Sequence, residues 1–430
     1  GQESEIGLLE NRWGLAAQGL GQIVGIVGDP GVGKSRLIWE FLRGGTSRGL
    51  VFETTSVALG RPTPYLAIIE MLRTCFGVEA GETDAAIRNK VAQHLADLDP
   101  SLPVLLPAFL SLLDVPTQDS VWDGLDPARR RRRTFDAIKR LMFRESARQP
   151  LVLVFEDAHW ADSETKALLE TIADSLPVAR VLMLVAFRPE YEHEWGNRTF
   201  YTQLRVDPLR GEGAQRFLRD LLGDHPSLDS LRARLIEWTE GNPFFLEETV
   251  STLAETGVLE GERGAYRLVR PIASIAVPKT VHEVLAARML RLAPPVYEVL
   301  QLAAVLGRSV PYEVLAAVST LSAEALSEGL TVLQAREFLS ETGLADEREY
   351  FFRHALTQEV AYASLPEDQR RVLHARILHA MESVYASRLD DKVADLAHHA
   401  FEGERWQEAV GYLHRAGTRA LARSANTEAA

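Results

Sequence analysis

Eight residues, Gly28-Asp29-Pro30-Gly31-Val32-Gly33-Lys34-Ser35, carry the spacing Gly-x4-Gly-Lys-Ser, and their types point to one chemistry, the cradling of phosphates. Glycines let backbone N–H groups curl around phosphate oxygens without Cβ clashes, the Lys34 ammonium reaches the β and γ oxygens, and the Ser35 hydroxyl is placed to ligate Mg²⁺. Arg36 follows in the same helix start and is counted with this cofactor-binding segment. The expected ligand is therefore a nucleoside triphosphate with Mg²⁺. Such a loop needs an acidic partner at a neighbouring strand end, and Leu151-Val152-Leu153-Val154-Phe155-Glu156-Asp157 supplies it as five apolar residues closing in two acids. One acid holds the metal and the other polarises the attacking water. Alignment on the strand puts Glu156 on the metal side with Ser35, and Asp157 on the water side, with the order of the two left open and either acid a metal candidate. Ala186-Phe187-Arg188-Pro189-Glu190 then brings a cation to the same rim, so Arg188 is a candidate reader of the γ-phosphate; a surface arginine is the plain alternative. Lys34, Glu156, Asp157 and Arg188 form the expected catalytic set.

The elements that must position these groups are legible around them. Ile23–Val27 is an apolar run just before the loop, and Leu37, Ile38, Phe41 and Leu42 continue as a helical face after it. Strands are expected at 22–27, 50–57, 151–155, 181–187 and 204–209, alternating with amphipathic helices, which is the pattern of a parallel sheet covered by helices. The stretch 100–126, rich in Pro, Asp and Ser, reads as an insertion of short helices and loops. Arg129–Arg133 precedes a helix expected at 135–148 and reads as a solvated helix start; five cations there oppose the helix dipole, so acidic neighbours are expected elsewhere in the fold. After Pro208 the strand signals stop. Helices at 211–222, 228–240 and 243–256 make a small helical domain. Helices at 281–292, 296–306, 312–318 and 323–337 lead into a hairpin, 338–342 and 349–352 about a turn at 343–348, the order of a winged helix. From 366 the chain is helical, with Trp406, Ala409, Tyr412, Leu413 and Ala416 at helical spacing, the opening of a TPR-like repeat region. The expected fold is an α/β P-loop NTPase domain with a parallel sheet (1–206), then a helical lid domain (207–275), a winged-helix domain (276–365) and the start of an α-helical repeat region (366–430).

Composition narrows the partners. A net charge of −13 over 430 residues leaves no overall basic footprint for nucleic acid or an anionic membrane. No apolar run reaches the roughly 18 residues of a membrane span, and no signal peptide opens the chain. The single cysteine, Cys75, rules out an internal disulfide framework and fits a reducing cytoplasm. With no initiator Met and a helical reading at Ala429-Ala430, the sequence reads as a segment of a longer protein. Other residues offer little chemistry. His398 and His399 are adjacent on a helix and point apart, so they are not expected to share an ion. Trp160 and Trp406 read as core aromatics, no Ser-His-Asp or Cys-His arrangement is evident, and Cys75 sits in an apolar helix where burial is the default.

Taken together, the loop, the Glu156-Asp157 strand end, Arg188 and the trailing winged helix resemble the STAND ATPases, and within them the ATPase segments of bacterial multidomain regulators such as those attached to class III adenylyl cyclases. Glu156-Asp157-Ala158-His159-Trp160-Ala161-Asp162, Gly241-Asn242-Pro243-Phe244-Phe245-Leu246-Glu247-Glu248, and Phe352-Arg353-His354-Ala355-Leu356 with Glu359-Val360-Ala361-Tyr362 carry the resemblance over essentially the whole chain. The resemblance implies a switch that holds ADP in a closed state, hydrolyses ATP slowly and regulates effector and sensor domains of the same longer chain or partner proteins, with nucleotide-dependent homo-oligomers among its expected assemblies. It implies that Pro243, in the Gly-x-Pro element, lies beside adenine and that His354, in a segment similar to the MHD motif, touches the β-phosphate of ADP. On residue type alone His354 reads as a core or surface histidine. The chain departs from the family at its start, Gly1-Gln2-Glu3, with Gln2 where an arginine near adenine is common. The alternatives are an AAA-type remodelling motor, for which no aromatic pore element is evident, and a winged-helix transcription regulator, which Glu324, Glu328 and Glu337 against Arg336 disfavour by repelling phosphate.

Overall fold

Strand β1 (Gln22–Val27) is buried along its whole length, as a strand must be when helices cover both faces of a parallel sheet. In the computed structural model, which describes residues 3–44, 49–56, 64–79, 81–271, 280–342 and 348–423, it lies in a five-stranded sheet with β2 (Leu50–Thr55), β3 (Leu151–Glu156), β4 (Val181–Phe187) and β5 (Tyr201–Arg205). The order is β2-β3-β4-β1-β5 and every pairing is parallel. The chain divides into two compact units, one of residues 2–29, 34–206 and 414–430, the other of residues 1, 30–33 and 207–413. Gln2 lies outside the described residues.

In the first unit β4 stands between β1 and β3, with Val27 in register with Phe187 and Phe155 with Val185. The glycine loop, the acid pair and Arg188 thus leave the same edge of three adjacent strands. The helix Lys34–Gly44 buries Leu37, Ile38 and Phe41, and the insertion resolves into Pro103–Leu105, Leu106–Leu112 and Ser120–Asp123. Among the boundaries that differ from the sequence reading, two are the largest in this unit. β5 begins at Tyr201, three residues before the apolar signal at Leu204, because Tyr201 already pairs in register with Ile23. Arg129–Arg133 lies inside one long helix, Pro127–Arg148, whose start is set by Asp126 accepting from the Arg129 N–H and by Pro127 at its first position. The expected acidic neighbours are present: Arg129 pairs with Asp126 at 3.2 Å and Arg131 with the buried Glu164 at 2.6 Å.

In the second unit, helices Gly211–Leu222, Asp229–Thr239 and Pro243–Glu255 close around Leu218, Leu231 and Leu246, beside a short ribbon of β6 (Leu259–Glu260) and β7 (Arg267–Leu268). Past the helix Val281–Met289 come Pro294–Leu306, β8 (Ser309–Pro311), Tyr312–Val318, Ala323–Ala335, β9 (Leu339–Thr342) and β10 (Glu349–Phe352). The three strands form an antiparallel sheet in the order β8-β10-β9; most of the expected turn, 343–347, lies outside the described residues. Arg288, 3% exposed, ties this region to the helix Pro243–Glu255 through Glu248 and, at 2.9 Å, Glu255. Helices Ala355–Ala363, Glu367–Val384, Val393–Glu402 and Trp406–Ala422 follow. Trp406, expected in the core, is instead 57% exposed and lies edge-on to the equally exposed Phe401. Among the described residues no helix is long and apolar enough to cross a membrane.

Candidate nucleotide site

The loop after β1 requires glycine at two positions, Gly31 at φ 80° and Gly33 at φ 101°, both in the left-handed region. The turn aims Lys34 back across the loop, where its ammonium donates to the Gly28 carbonyl at 2.8 Å and the Asp29 carbonyl at 3.1 Å. Burial pulls the Lys34 pKa below that of a free lysine; Arg188 adds to this, while Asp157, Asp29 and Glu156 oppose it. One residue on, the Ser35 hydroxyl donates to the Glu156 carboxylate. These two oxygen groups, 121 residues apart in sequence, make the oxygen-rich corner that a hard cation such as Mg²⁺ favours. Asp157 adopts φ 53°, ψ 38°, a left-handed turn that aspartate tolerates and that ends β3 abruptly. Lys34, Ser35, Glu156, Asp157 and Arg188, all singled out from sequence, therefore gather at one sheet edge.

Two neighbours enlarge this group. Arg188 lies 5.0 Å from the Trp160 ring centre, so Trp160, half-buried rather than filling the core, offers its face to a cation. His159 packs at 4.4 Å, tilted by 46°, against that same tryptophan, and both its ring nitrogens are shut off from solvent with no hydrogen-bond partner among the described residues. Burial, then Arg188 and Lys34, push its pKa down to about 4 against the pull of Glu190, so the ring is neutral at physiological pH. A buried imidazole with two unpaired nitrogens costs about 1–3 kcal/mol per group, and it fits a site whose ligand brings polar atoms with it. Sequence reasoning quoted His159 as part of a motif without giving it a role; a histidine two residues past an acid pair was the available signal.

In the other unit the loop tip, residues 30–33, meets the start of the helix Pro243–Glu255. Asn242 caps that helix by accepting from Phe245 N–H at 3.2 Å and donates through Nδ2 to the Pro30 carbonyl at 3.0 Å. The Phe244 N–H donates to the Gly31 carbonyl at 3.3 Å. Pro243 sits between them at the first helical position. His354 packs its ring 4.2 Å from Phe244. Desolvation by nearby protein atoms, helped by Arg353 and opposed by Glu337, lowers its pKa to about 4, although the residue is exposed to solvent. Arg36 is placed differently: its side chain is exposed, paired with Glu40 at 2.7 Å and lying over Trp39, which leaves its backbone N–H as the group available to the loop.

A thiol cluster that the sequence did not disclose lies elsewhere in the first unit. Cys75 Sγ is 3.8 Å from His94 Nε2, which is 2.6 Å from Glu145 Oε1. This corrects the expectation of no Cys-His arrangement, which failed because the three residues are far apart in the chain. Burial, with Glu145 beside it, raises the Cys75 pKa to about 12, so the sulfur stays a thiol and a poor nucleophile.

Residues 1–185 match the family model of the AAA ATPase domain. An uncharacterized protein of Rhizobium meliloti (strain 1021) is 27% identical over 439 residues, covering 100% of this chain and 41% of that protein. The crystal structure of a signal transduction ATPase with numerous domains (STAND) carrying a tetratricopeptide repeat sensor, from Pyrococcus horikoshii, matches with a TM-score of 0.55 at 12% identity. That match covers 100% of this chain and 54% of the other. At this identity the likeness speaks to fold, and the chain spans only about half of each relative's length or less.

Proposed function

On the premise that residues 1–185 are an AAA ATPase domain, in a chain with the fold of a STAND ATPase, we propose that the protein is an ATP/ADP-dependent signalling switch. It binds Mg-ATP, hydrolyses it slowly, and retains ADP in a closed, inactive state. ATP supplies the transferable γ-phosphoryl group, and Mg²⁺ the neutralising charge. The chain's part is to hold and orient: loop N–H groups from Gly28 through Arg36, including Asp29, Pro30 as the turn former, Gly31, Val32 and Gly33, line the phosphates. Lys34 neutralises them, Ser35 and Glu156 hold the metal, Asp157 polarises water, and Arg188, steadied on Trp160, reads the γ-phosphate. Pro243 lies beside adenine, and His354 reads the β-phosphate of ADP.

One observation carries the switch reading. The loop tip is bonded to Asn242 and Phe244, and Phe244 touches His354, so a change in how the loop holds phosphate has a packed route to the element bearing His354. A nucleotide shifts an equilibrium only by its difference in affinity for the two states, and a histidine that meets ADP in one of them supplies such a difference. We read the order helix, β8, helix, helix, β9, β10 as a winged helix used as a reporter rather than a DNA reader. The helix that would enter a groove, Ala323–Ala335, exposes Glu324 and Glu328, which repel phosphate. Trp406, Val410 and Leu413, exposed at helical spacing, fit the start of a helical repeat. Effector and sensor regions of a longer chain or of partner proteins, and nucleotide-dependent homo-oligomers, complete the proposal, in the cytoplasm.

The test is the nucleotide content of the purified chain, released by denaturation and quantified by chromatography. Near-stoichiometric ADP surviving purification is expected. An empty site with rapid steady-state turnover overturns the switch and favours a remodelling motor.

A further inference from the structure

The helices Glu367–Val384 and Val393–Glu402 bring three histidines together. His398 and His399 are adjacent on the second helix, and their side chains start about 100° apart. Their rings nevertheless converge on one from the first helix, with His374 centred 5.3 Å from His398 and 5.0 Å from His399. One nitrogen from each of the three lies within 4.8 Å of the other two. The expectation that the His398-His399 pair shares no ion considered those two rings alone; a third ring from a neighbouring helix joins them. His374 and His399 are 1% and 3% exposed, and His398 is half-buried at the mouth of the cluster.

The hydrogen bonding favours a cation between these rings. His374 Nε2 lies 3.0 Å from the Tyr362 hydroxyl, and His374 Nδ1 lies 2.8 Å from His399 Nδ1. When His374 donates from Nε2 to Tyr362, its Nδ1 keeps a lone pair facing His399. Two nitrogens that close share a single proton, or an ion that replaces it. A ligating histidine characteristically donates its other ring N–H to a fixed partner, the part Tyr362 takes here. Zinc–nitrogen bonds of 2.0–2.1 Å in a tetrahedron set the nitrogens about 3.3 Å apart, so the His374–His399 pair need open by only about half an ångström.

We propose that His374, His398 and His399 form a binding site for a transition-metal dication that prefers imidazole nitrogen, zinc above all. Hard cations such as Mg²⁺ take oxygen ligands instead, which keeps this site chemically separate from the one at Ser35 and Glu156. Three imidazoles leave a fourth position for water on the side of His398. The ion fastens the helix Val393–Glu402 to Glu367–Val384. Arg370 opposes a dication there, and Glu402, which acts on the same Tyr362, offsets it.

The test uses the whole chain, stripped with chelator and kept in excess Mg²⁺ to occupy the oxygen site, titrated with zinc against a chromogenic competitor and with cobalt(II) in the visible. One zinc per chain is expected, with a tetrahedral cobalt spectrum lacking thiolate charge transfer. His398→Gln and His399→Gln should weaken zinc by about 10-fold or more, and Cys75→Ser should leave it unchanged. Because His399 is buried, its variant is checked for fold by circular dichroism; if that variant unfolds, the half-buried His398 variant decides between the outcomes. Failure of the chain to bind zinc, loss of zinc in Cys75→Ser, or unchanged affinity in His398→Gln each overturns the site.

Discussion

Ser35 donates its hydroxyl proton to Glu156, although the strands that deliver them, β1 and β3, are separated by β4. The bond holds these two oxygen groups together, and Asp157 follows in a left-handed turn; on the proposed assignment Ser35 and Glu156 take the metal and Asp157 the water. Glu156→Gln should therefore weaken ATP binding in the presence of Mg²⁺ by about 10–100-fold and change Mg²⁺-free binding little. Asp157→Asn should keep binding and lower turnover by about 10²–10³. Calorimetry with and without Mg²⁺, beside phosphate release, separates the two; the opposite pattern exchanges their roles.

Lys34 is the cation that the loop folds over itself. Its ammonium already satisfies the Gly28 and Asp29 carbonyls, so phosphate must compete for it. Lys34→Ala should reduce triphosphate affinity at least about 100-fold, the scale of a lost charge-assisted contact worth about 3 kcal/mol. Retained ATP affinity in that variant refutes the site.

Gly31 is constrained twice, by φ 80° and by space: a Cβ there would lie 2.8 Å from the Cβ of Phe244. Gly31→Ala should destabilise the chain by about 1–3 kcal/mol and weaken nucleotide binding along with it. A thermal melt that does not move would mean that the loop tip is not held against Phe244.

His354 yields a pH dependence with a definite sign. Its folded pKa of about 4 lies below the ordinary 6.5, so between those values the unfolded chain binds more protons and stability falls as pH falls. The effect is absent above about pH 6.5 and complete below about pH 4. Water around the exposed residue screens much of it, so about 1 kcal/mol is expected. Chemical denaturation of wild type and His354→Gln at pH 7 and pH 4.5 measures it; parallel losses in both exclude His354 as the source. In the same frame, His354→Ala should speed ADP release, and an unchanged release rate counts against its reading of ADP.

The gathering of the glycine loop and the acid pair at one sheet edge was legible because its signals are local: Lys34 and Ser35 are neighbours, and the acids end a run of apolar residues. β5 was displaced by three residues because Leu204 and Val206 carry the apolar signal while Tyr201 already takes part in the pairing. His159, the Cys75–His94–Glu145 cluster and the three-histidine cluster were not legible for a different reason. Each depends on which side chains from distant segments meet, and neither periodicity nor spacing within one element records that. Trp406 shows the converse error: helical spacing identifies an apolar face but not whether anything covers it.

Arg288 offers the sharpest test of what holds the helix Pro243–Glu255 in place. Its guanidinium reaches Glu248, Glu255 and the Arg336 carbonyl at once, and burial nevertheless raises the Glu248 pKa. Arg288→Ala removes the shared cation and strands two carboxylates in a poorly solvated place, which should cost about 3–5 kcal/mol. The sign with pH follows. Without Arg288 the folded pKa of Glu248 rises further above its unfolded value, so its contribution is retained below the unfolded pKa and lost as pH rises through the folded one. The deficit of Arg288→Ala relative to wild type should therefore shrink as pH falls toward about 4.5. The paired replacement Arg288→Met with Glu248→Leu removes both buried charges and should recover much of the loss. Denaturant melts of wild type, Arg288→Met, Glu248→Leu and the double variant at two pH values give the coupling energy directly; a coupling near zero would mean that the Arg288–Glu248 pair does not seat the helix.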